Sequence, residues 1–254
     1  MIRNSTFDSI FENSHFTTLA LKKSNEAEQI LLIAKKDSKA ILFVNSYSLY
    51  LANRNKNYSN IIESSICLLD GRPLWKIVSL LSERRVHHVR GLDFFKLVLE
   101  SPLNKTTSQV LLGSTEQNCL SISEKVITLG GSRVQYICPP QQSLEDFDFD
   151  SLATQLAALS PDIVWVGLGT PKQDFVAHEL ASRLDSTIVA VGAAFDFYSG
   201  TKKQAPRWIQ ATYLEWLFRL LSEPKRLWKR YLIGNIGFVS DIALWVLSAR
   251  KRQS

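Results

Sequence analysis

Short, continuously apolar runs rich in Val, Ile and Leu alternate along the chain with segments whose apolar residues recur every three to four positions. The continuous runs predict strands at residues 40–45, 65–69, 109–113, 133–138, 162–169 and 187–194. The periodic segments predict helices at residues 46–55, 73–81, 92–100, 116–130, 150–159 and 172–184. Strands that are apolar throughout need helices on both faces of the sheet, so the pattern predicts an α/β fold with a Rossmann-like, doubly wound, mostly parallel sheet.

The pattern changes after residue 206, where aromatic and aliphatic side chains are interleaved with cations. The chain has 254 residues and is 45% hydrophobic, which is enough for one large domain with or without an appendage. From residue 207 onward there are nine Lys or Arg and three Asp or Glu, so this segment carries the whole formal net charge of +6. We therefore divide the chain into an α/β domain, residues 1–206, and a basic amphipathic helical appendage, residues 207–254. Such a charge distribution predicts a local anionic partner, either a phosphate, a nucleic acid or an acidic membrane.

The cysteines and the N-terminus predict a protein of the cytoplasm. Cys67, Cys119 and Cys138 lie far apart in apolar contexts without the spacing of metal ligands, so buried free thiols are expected. Residues 1–16 contain no continuous apolar core, so no secretory signal is predicted.

Polar residues follow two of the predicted strands, at the sheet edge where ligands of such folds bind. The first strand ends in Asn45, and the second runs into Asp70, where Gly71 lets the chain turn sharply. A carboxylate held by such a turn could reach a substrate. From the residues alone, the favoured interpretation is that Asp70 caps the turn or helix that follows it, as Gly71-Arg72-Pro73 would support.

Glycine-containing turns follow two further strands. The third strand ends in Gly-Ser-Thr, and the fifth continues into VGLGTPKQD, with Lys172 and Gln173 in the first turn of the next helix. Gly167 and Gly169 allow a close approach of the backbone, and helix N-termini with free amides bind anions. Two of these turns could hold a diphosphate, although tight turns between elements would look the same.

The appendage begins with a cationic helical stretch, LEWLFRLLSEPKRLWKRY, at residues 214–231. Thr212 and Glu215 have the spacing of a capping box, and Pro224 predicts the start of a second helix. Arg219, Arg226 and Lys229 would lie on one face if the proline only kinks the helix axis. They would then form either an anion site or a solvated surface.

The next segment, Ile233–Leu247, is apolar but interrupted by polar residues and glycines. It falls short of the roughly 20 clean apolar residues that a membrane span needs, so we expect it to lie on the membrane with its cations near anionic headgroups. Packing on the sheet or on another subunit is the competing interpretation for the part before Tyr231.

No metal site is predicted. The acidic segment EDFDFD at residues 145–150 contains the Asp-x-Asp pattern of metal-dependent transferases, but we interpret it as a loop in which Asp150 or Ser151 caps the following helix. The four histidines, His15, His87, His88 and His178, lack the spacing of helical metal ligands, so surface or partly buried roles are expected.

Four segments carry a resemblance to a known family. LLDGRPLW, PDIVWVGLGTPKQD, VGAAFDFYSGTKKQAPRW and LEWLFRLLSEPKRLWKRY, in this order and spacing, resemble the TagA, WecG and CpsF glycosyltransferases, glycosyltransferase family 26. The similarity covers roughly residues 40–232. It implies an inverting, metal-independent enzyme without a cofactor, which transfers a sugar from a UDP-sugar to a polyprenyl-diphosphate-linked saccharide at the cytoplasmic face of the membrane. Pathways of bacterial cell-surface polysaccharides, including capsule and exopolysaccharide, use such enzymes.

The resemblance also implies roles for particular residues. Asp70 matches the family's proposed general base, whereas Asp196 is expected to have a structural hydrogen-bonding role. Arg219, Arg226 and Lys229 match an appendage thought to close over the nucleotide diphosphate. The other positions expected to bind substrate are Asn45, Gly71, Arg72, Gly167, Gly169, Lys172 and Gln173. The expected partners are the UDP-sugar, the lipid-linked acceptor and the membrane surface, but no nucleic acid; formation of a homo-oligomer is left open.

Two positions depart from the family pattern. Phe43 replaces a common Thr two residues before Asn45, and Arg90 replaces a small Thr before Gly91. Both sites are expected to border the sugar, so the donor could be a glucosyl or glucuronyl nucleotide rather than the N-acetylmannosamine type. A dinucleotide-dependent oxidoreductase is disfavoured because its complete glycine fingerprint is missing. A noncatalytic scaffold of a polysaccharide assembly complex is the alternative function.

Overall fold

The computed structural model describes residues 21, 23–81 and 85–253, with the side chains of residues 249–253 outside the description. The N-terminal segment, about which we predicted the absence of a secretory signal, therefore lies outside the described residues together with His15. The same holds for the side chains of the C-terminal basic residues 250–252.

A single six-stranded sheet forms the centre of the fold, and all of its neighbouring strands are parallel. The strands are β1 (Ile41–Val44), β2 (Ile66–Leu69), β3 (Gln109–Gly113), β4 (Gln135–Ile137), β5 (Ile163–Gly167) and β6 (Thr187–Ala190). They lie in the order β2-β1-β6-β5-β3-β4. All six predicted strands are thus confirmed, and so is the predicted α/β class with a parallel sheet.

Helices cover both faces of this sheet. Up to β6 they are α1 (Ser24–Lys36), α2 (Ser46–Ala52), α3 (Lys56–Ser64), α4 (Arg72–Leu81), α5 (Gly91–Leu99), α6 (Leu103–Thr106), α7 (Glu116–Thr128), α8 (Phe149–Ala158) and α9 (Lys172–Ala181). The six helices predicted from periodicity are present, whereas α1, α3 and α6 were not predicted. In α1 the buried residues recur at helical spacing, so the signal was there; they are Ala27, Ile30, Leu31 and Ala34.

Alternate strand residues pack into two separate cores, one on each face of the sheet. In β1, Leu42 and Val44 enter one core while Ile41 and Phe43 enter the other. Trp165 of β5 is fully buried, and its indole nitrogen donates to Gln109 Oε1 at 2.7 Å. Burial on both faces explains why the strands are apolar at nearly every position, with Gln109, Gln135 and Thr187 as polar residues at their first positions. The polar residues that follow the strands therefore lie at the edge of the sheet formed by the carboxyl ends of the strands.

The three cysteines are free thiols, as predicted. Cys67 and Cys119 are buried, and Cys138 is half-buried.

The chain after β6 is helical nearly to its end. It contains α10 (Ala194–Ser199), α11 (Arg207–Gln210), α12 (Glu215–Ser222), α13 (Pro224–Trp228), a π-helical turn (Lys229–Ile233) and α14 (Gly234–Gln253). Pro224 starts α13, as predicted. The predicted capping box is wrong, because α12 begins at Glu215 itself and the Thr212 hydroxyl instead accepts from the amide of Leu214 at 3.1 Å.

Helix α14 packs along α2 through close backbone contacts. A Cβ atom on Gly234 would lie 2.5 Å from the ring of Tyr47, and one on Gly237 would lie 2.2 Å from the ring of Tyr50. Asp241 is only 2% exposed and forms an ion pair with Arg54, with distances of 2.5 and 3.1 Å. These contacts attach one side of α14 firmly to the α/β domain.

The opposite side of this helix is apolar and exposed. The helical segment from Pro224 to Ser248 is 25 residues long, with a mean hydropathy of 1.5 in its most apolar stretch, of which 17% is buried. By length and composition alone this segment could cross a membrane, so the expectation that the interrupted run within it lies on the membrane stays a prediction. Its exposed apolar side chains include Leu232, Ile233, Ile236, Val239, Leu244 and Leu247.

Asp174 gives the fold a predictable dependence on pH. Burial raises the pKa of this carboxyl to about 6 from 3.8, although the hydroxyl of Tyr58, 2.6 Å away, partly opposes the rise. The folded state therefore binds a proton more tightly than the unfolded state, and stability falls as pH rises from about 4 to about 6.

We expect Asp174→Asn to raise the free energy of unfolding at pH 8 by roughly 1–3 kcal/mol, because the neutral amide keeps an acceptor for Tyr58 without a buried charge. Urea unfolding of both proteins at pH 8 and pH 4.5 measures this effect. The difference should shrink at the lower pH. An equal loss of stability at both values would contradict the interpretation.

Candidate active site

Two adjoining cavities lie beyond the carboxyl ends of the central strands, beneath the appendage. They share one wall, formed by Asn45, Asp70, Arg219, Arg230 and Tyr231. We call the cavity that also contains Gly169, Gln173, Gly192 and Arg226 the first cavity. The cavity that also contains Tyr47, Arg72, Pro73, Tyr213 and Trp216 is the second cavity.

Asp70 is held rigidly at the end of β2. Its amide donates to Val44 O at 2.8 Å, which continues the pairing of β2 with β1. Gly71 follows with φ of +98°, a conformation that other residues adopt only with strain. The amide of Gly71 donates to Nε2 of the half-buried His88 at 3.2 Å, and desolvation lowers the pKa of His88 to about 4, so that this nitrogen stays an acceptor. The turn therefore fixes the carboxylate at the shared wall.

The environment of Asp70 suits a proton acceptor. Burial raises the pKa of its carboxyl above the ordinary value of 3.8, while the nearby charges of Arg219, Arg90 and Arg230 oppose the rise. A carboxylate with a raised pKa is a stronger base than one in water.

Asn45 has a double role at the same wall. Its Oδ1 atom accepts from the amides of Tyr47 at 3.0 Å and Ser48 at 3.3 Å, so it caps α2. Because the cap uses the amide oxygen, the amide nitrogen remains as a donor for a ligand in either cavity. Asn45 also packs beside the Asp70–Gly71 turn, since a Cβ atom on Gly71 would lie 3.7 Å from the Cβ atom of Asn45.

The loops after β5 and β6 close the first cavity from the sheet side. Gln173 is buried, and its Oε1 accepts from the amide of Gly169 at 3.0 Å. A Cβ on Gly192 would lie 3.3 Å from the same oxygen, so both glycine loops approach this side chain closely. Gln173 therefore shapes the cavity floor by holding Gly169, which has φ of +81°.

The appendage supplies arginines to the cavities. Arg219 and Arg226 line the first cavity, and their contact with a diphosphate stays a prediction. The third cation is Arg230, which sequence analysis missed, whereas Lys229 lies outside both cavities with its amino group 5.6 Å from the ring of Trp228. The π-helical turn that begins at Lys229 explains this difference. Because this turn is wider than an α-helical one, it directs Arg230 rather than Lys229 to the same side as Arg226.

Two further arginines come from the α/β domain. Arg72 lines the second cavity, and its Nε donates to Gln210 O at 2.9 Å. Arg90 lines the first cavity and is bound by Gln210 Oε1 at 2.6 Å and Glu215 Oε1 at 3.1 Å. Phe43 lines the same cavity as Arg90. The two positions that depart from the family pattern therefore do meet in one cavity.

Two residues expected to bind substrate lie away from the cavities. Gly167 is packed against a core ring, because a Cβ there would lie 2.7 Å from Phe195. Lys172 donates to Gln142 O at 3.0 Å and lies 5.8 Å from the ring of Phe147, so its ammonium group is turned to another loop. The structure thus gives both residues structural contacts.

The carboxylates that we interpreted as structural make structural contacts. Asp196 accepts from Asn118 at 3.1 Å and pairs with Lys202 at 2.6 Å. In the acidic segment, the cap of α8 is Asp148, which accepts from the amide of Ser151 at 2.9 Å, rather than Asp150 or Ser151 as predicted. Asp150 instead pairs with Arg183. Within the described residues, no three His, Cys, Asp or Glu side chains are gathered as a metal site would require.

The sequence of this chain is similar to those of known proteins. Residues 13–252 match the glycosyl transferase WecG/TagA/CpsF family. The chain is 28% identical over 229 residues to an N-acetylglucosaminyldiphosphoundecaprenol N-acetyl-beta-D-mannosaminyltransferase of Bacillus subtilis, which covers 87% of this chain and 84% of the relative. A protein of the same name from Bacillus spizizenii is 28% identical over 189 residues, covering 71% and 70%. The predicted resemblance is therefore confirmed, and this chain belongs to the WecG/TagA/CpsF family of glycosyltransferases.

Proposed function

We propose that this glycosyltransferase moves a sugar from a UDP-sugar to a polyprenyl-diphosphate-linked saccharide, with inversion at the anomeric carbon and without a metal. The names of its Bacillus relatives support a lipid-linked acceptor, and we assign the reaction to the synthesis of a bacterial cell-surface polysaccharide. The observation that carries the proposal is the position of Asp70, at the wall between two cavities of different character.

The first cavity suits the donor nucleotide. Arg219, Arg226 and Arg230 bring fixed cations to it from the appendage, and Gly169 and Gly192 open its floor to a close approach. A departing UDP develops negative charge that these guanidinium groups would stabilise. Arg226 and Arg230 come from a different element than Asp70, so the appendage acts as a lid that completes the site.

The second cavity suits the acceptor. Tyr47, Tyr213 and Trp216 give it an aromatic lining on which a sugar ring can pack, and Arg72 supplies a cation for the acceptor diphosphate. Asn235 of α14 also lines it, so the cavity adjoins the helix whose outer side is exposed and apolar. In an inverting transfer the acceptor hydroxyl attacks opposite the leaving group. A base between the two cavities is placed for that reaction.

The arginines make a metal unnecessary in this mechanism. We expect that a chelator such as EDTA leaves turnover of the purified enzyme unchanged, because guanidinium groups rather than a divalent cation neutralise the departing UDP. Initial rates with and without EDTA measure this. Loss of activity that returns on adding Mg²⁺ or Mn²⁺ would contradict the metal-free part of the proposal.

We further propose that the protein works from the cytoplasm, as a peripheral protein on the inner face of the membrane. The side of α14 away from α2 is apolar, and the exposed Lys225 lies in the preceding helix α13. Changing Ile236 and Val239 together to Glu should lower binding to anionic lipid vesicles by about fivefold or more, because both side chains are exposed.

Vesicle co-sedimentation measures this binding. Leu80→Glu is a matched control, since Leu80 is 69% exposed but lies on α4. Equal binding of the double variant and the control protein would contradict the membrane face assigned to α14.

The test of the proposed activity is a transfer assay. Purified enzyme is incubated with separate UDP-sugars, namely the N-acetylmannosamine, glucose and glucuronic acid forms, and with N-acetylglucosaminyl-diphosphoundecaprenol as acceptor. Transfer of one sugar with release of UDP supports the proposal, and comparison of the three donors identifies the preferred sugar. Binding of UDP-sugars without transfer to lipid-linked acceptors would favour the alternative, a noncatalytic nucleotide-sugar-binding or scaffold subunit.

A further inference from the structure

Glu223 is, besides Asp70, an acidic residue in the wall of the first cavity, which is lined mainly by cations among its charged residues. It lies at the junction of α12 and α13, immediately before Pro224. Its carboxylate accepts from Nε of Arg226 at 2.6 Å and from Nη2 of the same side chain at 2.7 Å. It also pairs with the amino group of Lys202 at 3.2 Å. A carboxylate in this place would repel a nucleotide diphosphate, so its presence needs a reason.

The contacts between Glu223 and Arg226 give a reason for this carboxylate. A guanidinium group presents parallel N–H donors that fit the oxygens of a carboxylate or of a phosphate equally well. Glu223 occupies two of these donors on Arg226. The same two donors are those that a phosphate would use if Arg226 binds the diphosphate.

We propose that Glu223 is an internal substitute for the donor phosphate, which keeps Arg226 in place in the free enzyme and is displaced when the nucleotide diphosphate binds. This inference rests on the proposed function of the first cavity as the nucleotide site. In this proposal Glu223 lowers the affinity for the donor, and it releases Arg226 only to a ligand that carries sufficient negative charge.

The exchange is energetically accessible. The side chains of Arg226 and Glu223 are 54% and 28% exposed, and ion pairs at such positions are weak because water solvates both partners. After displacement, Glu223 keeps Lys202 as a partner within reach. The incoming diphosphate carries more charge than one carboxylate and meets Arg219 and Arg230 as well.

The test is the affinity for UDP, measured by titration calorimetry on the full chain. Glu223→Gln removes the charge while keeping the size of the side chain, and should tighten UDP binding by about fivefold. Binding of uridine, which has no phosphate, should stay unchanged. In an Arg226→Gln background, Glu223→Gln should give a much smaller gain, because the competition is for that guanidinium group.

Glu179→Gln is the matched control, since Glu179 forms a similar surface pair with Arg183 at 3.3 Å, away from the cavities. It should leave UDP affinity unchanged. Thermal melting checks that each variant is folded, and Glu223→Ser serves as a second variant that removes the carboxylate. If wild type binds UDP and both Glu223 variants bind it equally or more weakly, the inference is overturned while the nucleotide site stands. If wild type does not bind UDP, the proposed donor site and this inference both fail.

Discussion

Asp70→Asn is expected to lower the rate of sugar transfer by about 10²- to 10⁴-fold, the range that a positioned general base contributes. The amide has the shape of the carboxylate but cannot take the proton of the acceptor hydroxyl. UDP binding should be nearly intact or slightly tighter, because the arginines remain and a negative charge is removed. Steady-state assays with a lipid-linked acceptor, combined with UDP titration, separate the two effects.

The rival carboxylate provides the control for this prediction. Asp196 accepts from Asn118 and pairs with Lys202, so Asp196→Asn should reduce transfer by less than about tenfold. The pH profile adds a second readout. Since burial raises the pKa of Asp70, activity of wild type should be lost on acidification at a pH above 3.8. An Asp70→Asn enzyme with wild-type turnover would show that another group is the base.

The second large effect is expected at Arg230. Arg230→Gln should lower kcat/KM by about 10²-fold, because it removes a fixed cation from the wall that faces the departing UDP. The neighbouring substitution Lys229→Gln removes the same charge outside both cavities and should cost less than about twofold. Measurement of kcat/KM for both variants under identical conditions compares two adjacent cations of equal formal charge.

The opposite order of the two effects on kcat/KM would contradict this assignment. If Lys229→Gln is the damaging substitution, the π-helical turn does not set which cation faces the site, and the helical spacing predicted from sequence would be the correct one. Equal and small effects of both substitutions would remove the third cation from the mechanism.

The sheet was predictable because its physical signal is strong. Burial on both faces makes nearly every strand residue apolar, as in Ile41–Val44, and such continuous apolar runs differ clearly from the three-to-four-residue periodicity of the helices. Helix ends were harder to predict, because several neighbouring polar residues can serve as the cap. Asp148 rather than Asp150 caps α8, and Thr212 does not cap α12. Local sequence does not decide between such neighbours.

The site was predictable in part. Strand ends and glycine turns pointed correctly to the edge where Asn45, Asp70 and Gln173 lie together. Lys172 was misplaced because a helix N-terminus fixes the backbone but not the direction of a long flexible side chain. Arg230 was missed because a π-helical turn changes the spacing, and Pro224 made the register of the preceding helix uncertain. Glu223 was not considered because its significance depends on contacts that only folding creates.

The most direct test of the account is a crystal structure of the enzyme with UDP bound and the appendage ordered. We expect diphosphate oxygens within hydrogen-bonding distance of Arg219, Arg226 and Arg230, with Asp70 facing the position of the transferred sugar. Arginines that point away from the bound nucleotide, or a diphosphate bound elsewhere on the chain, would contradict it.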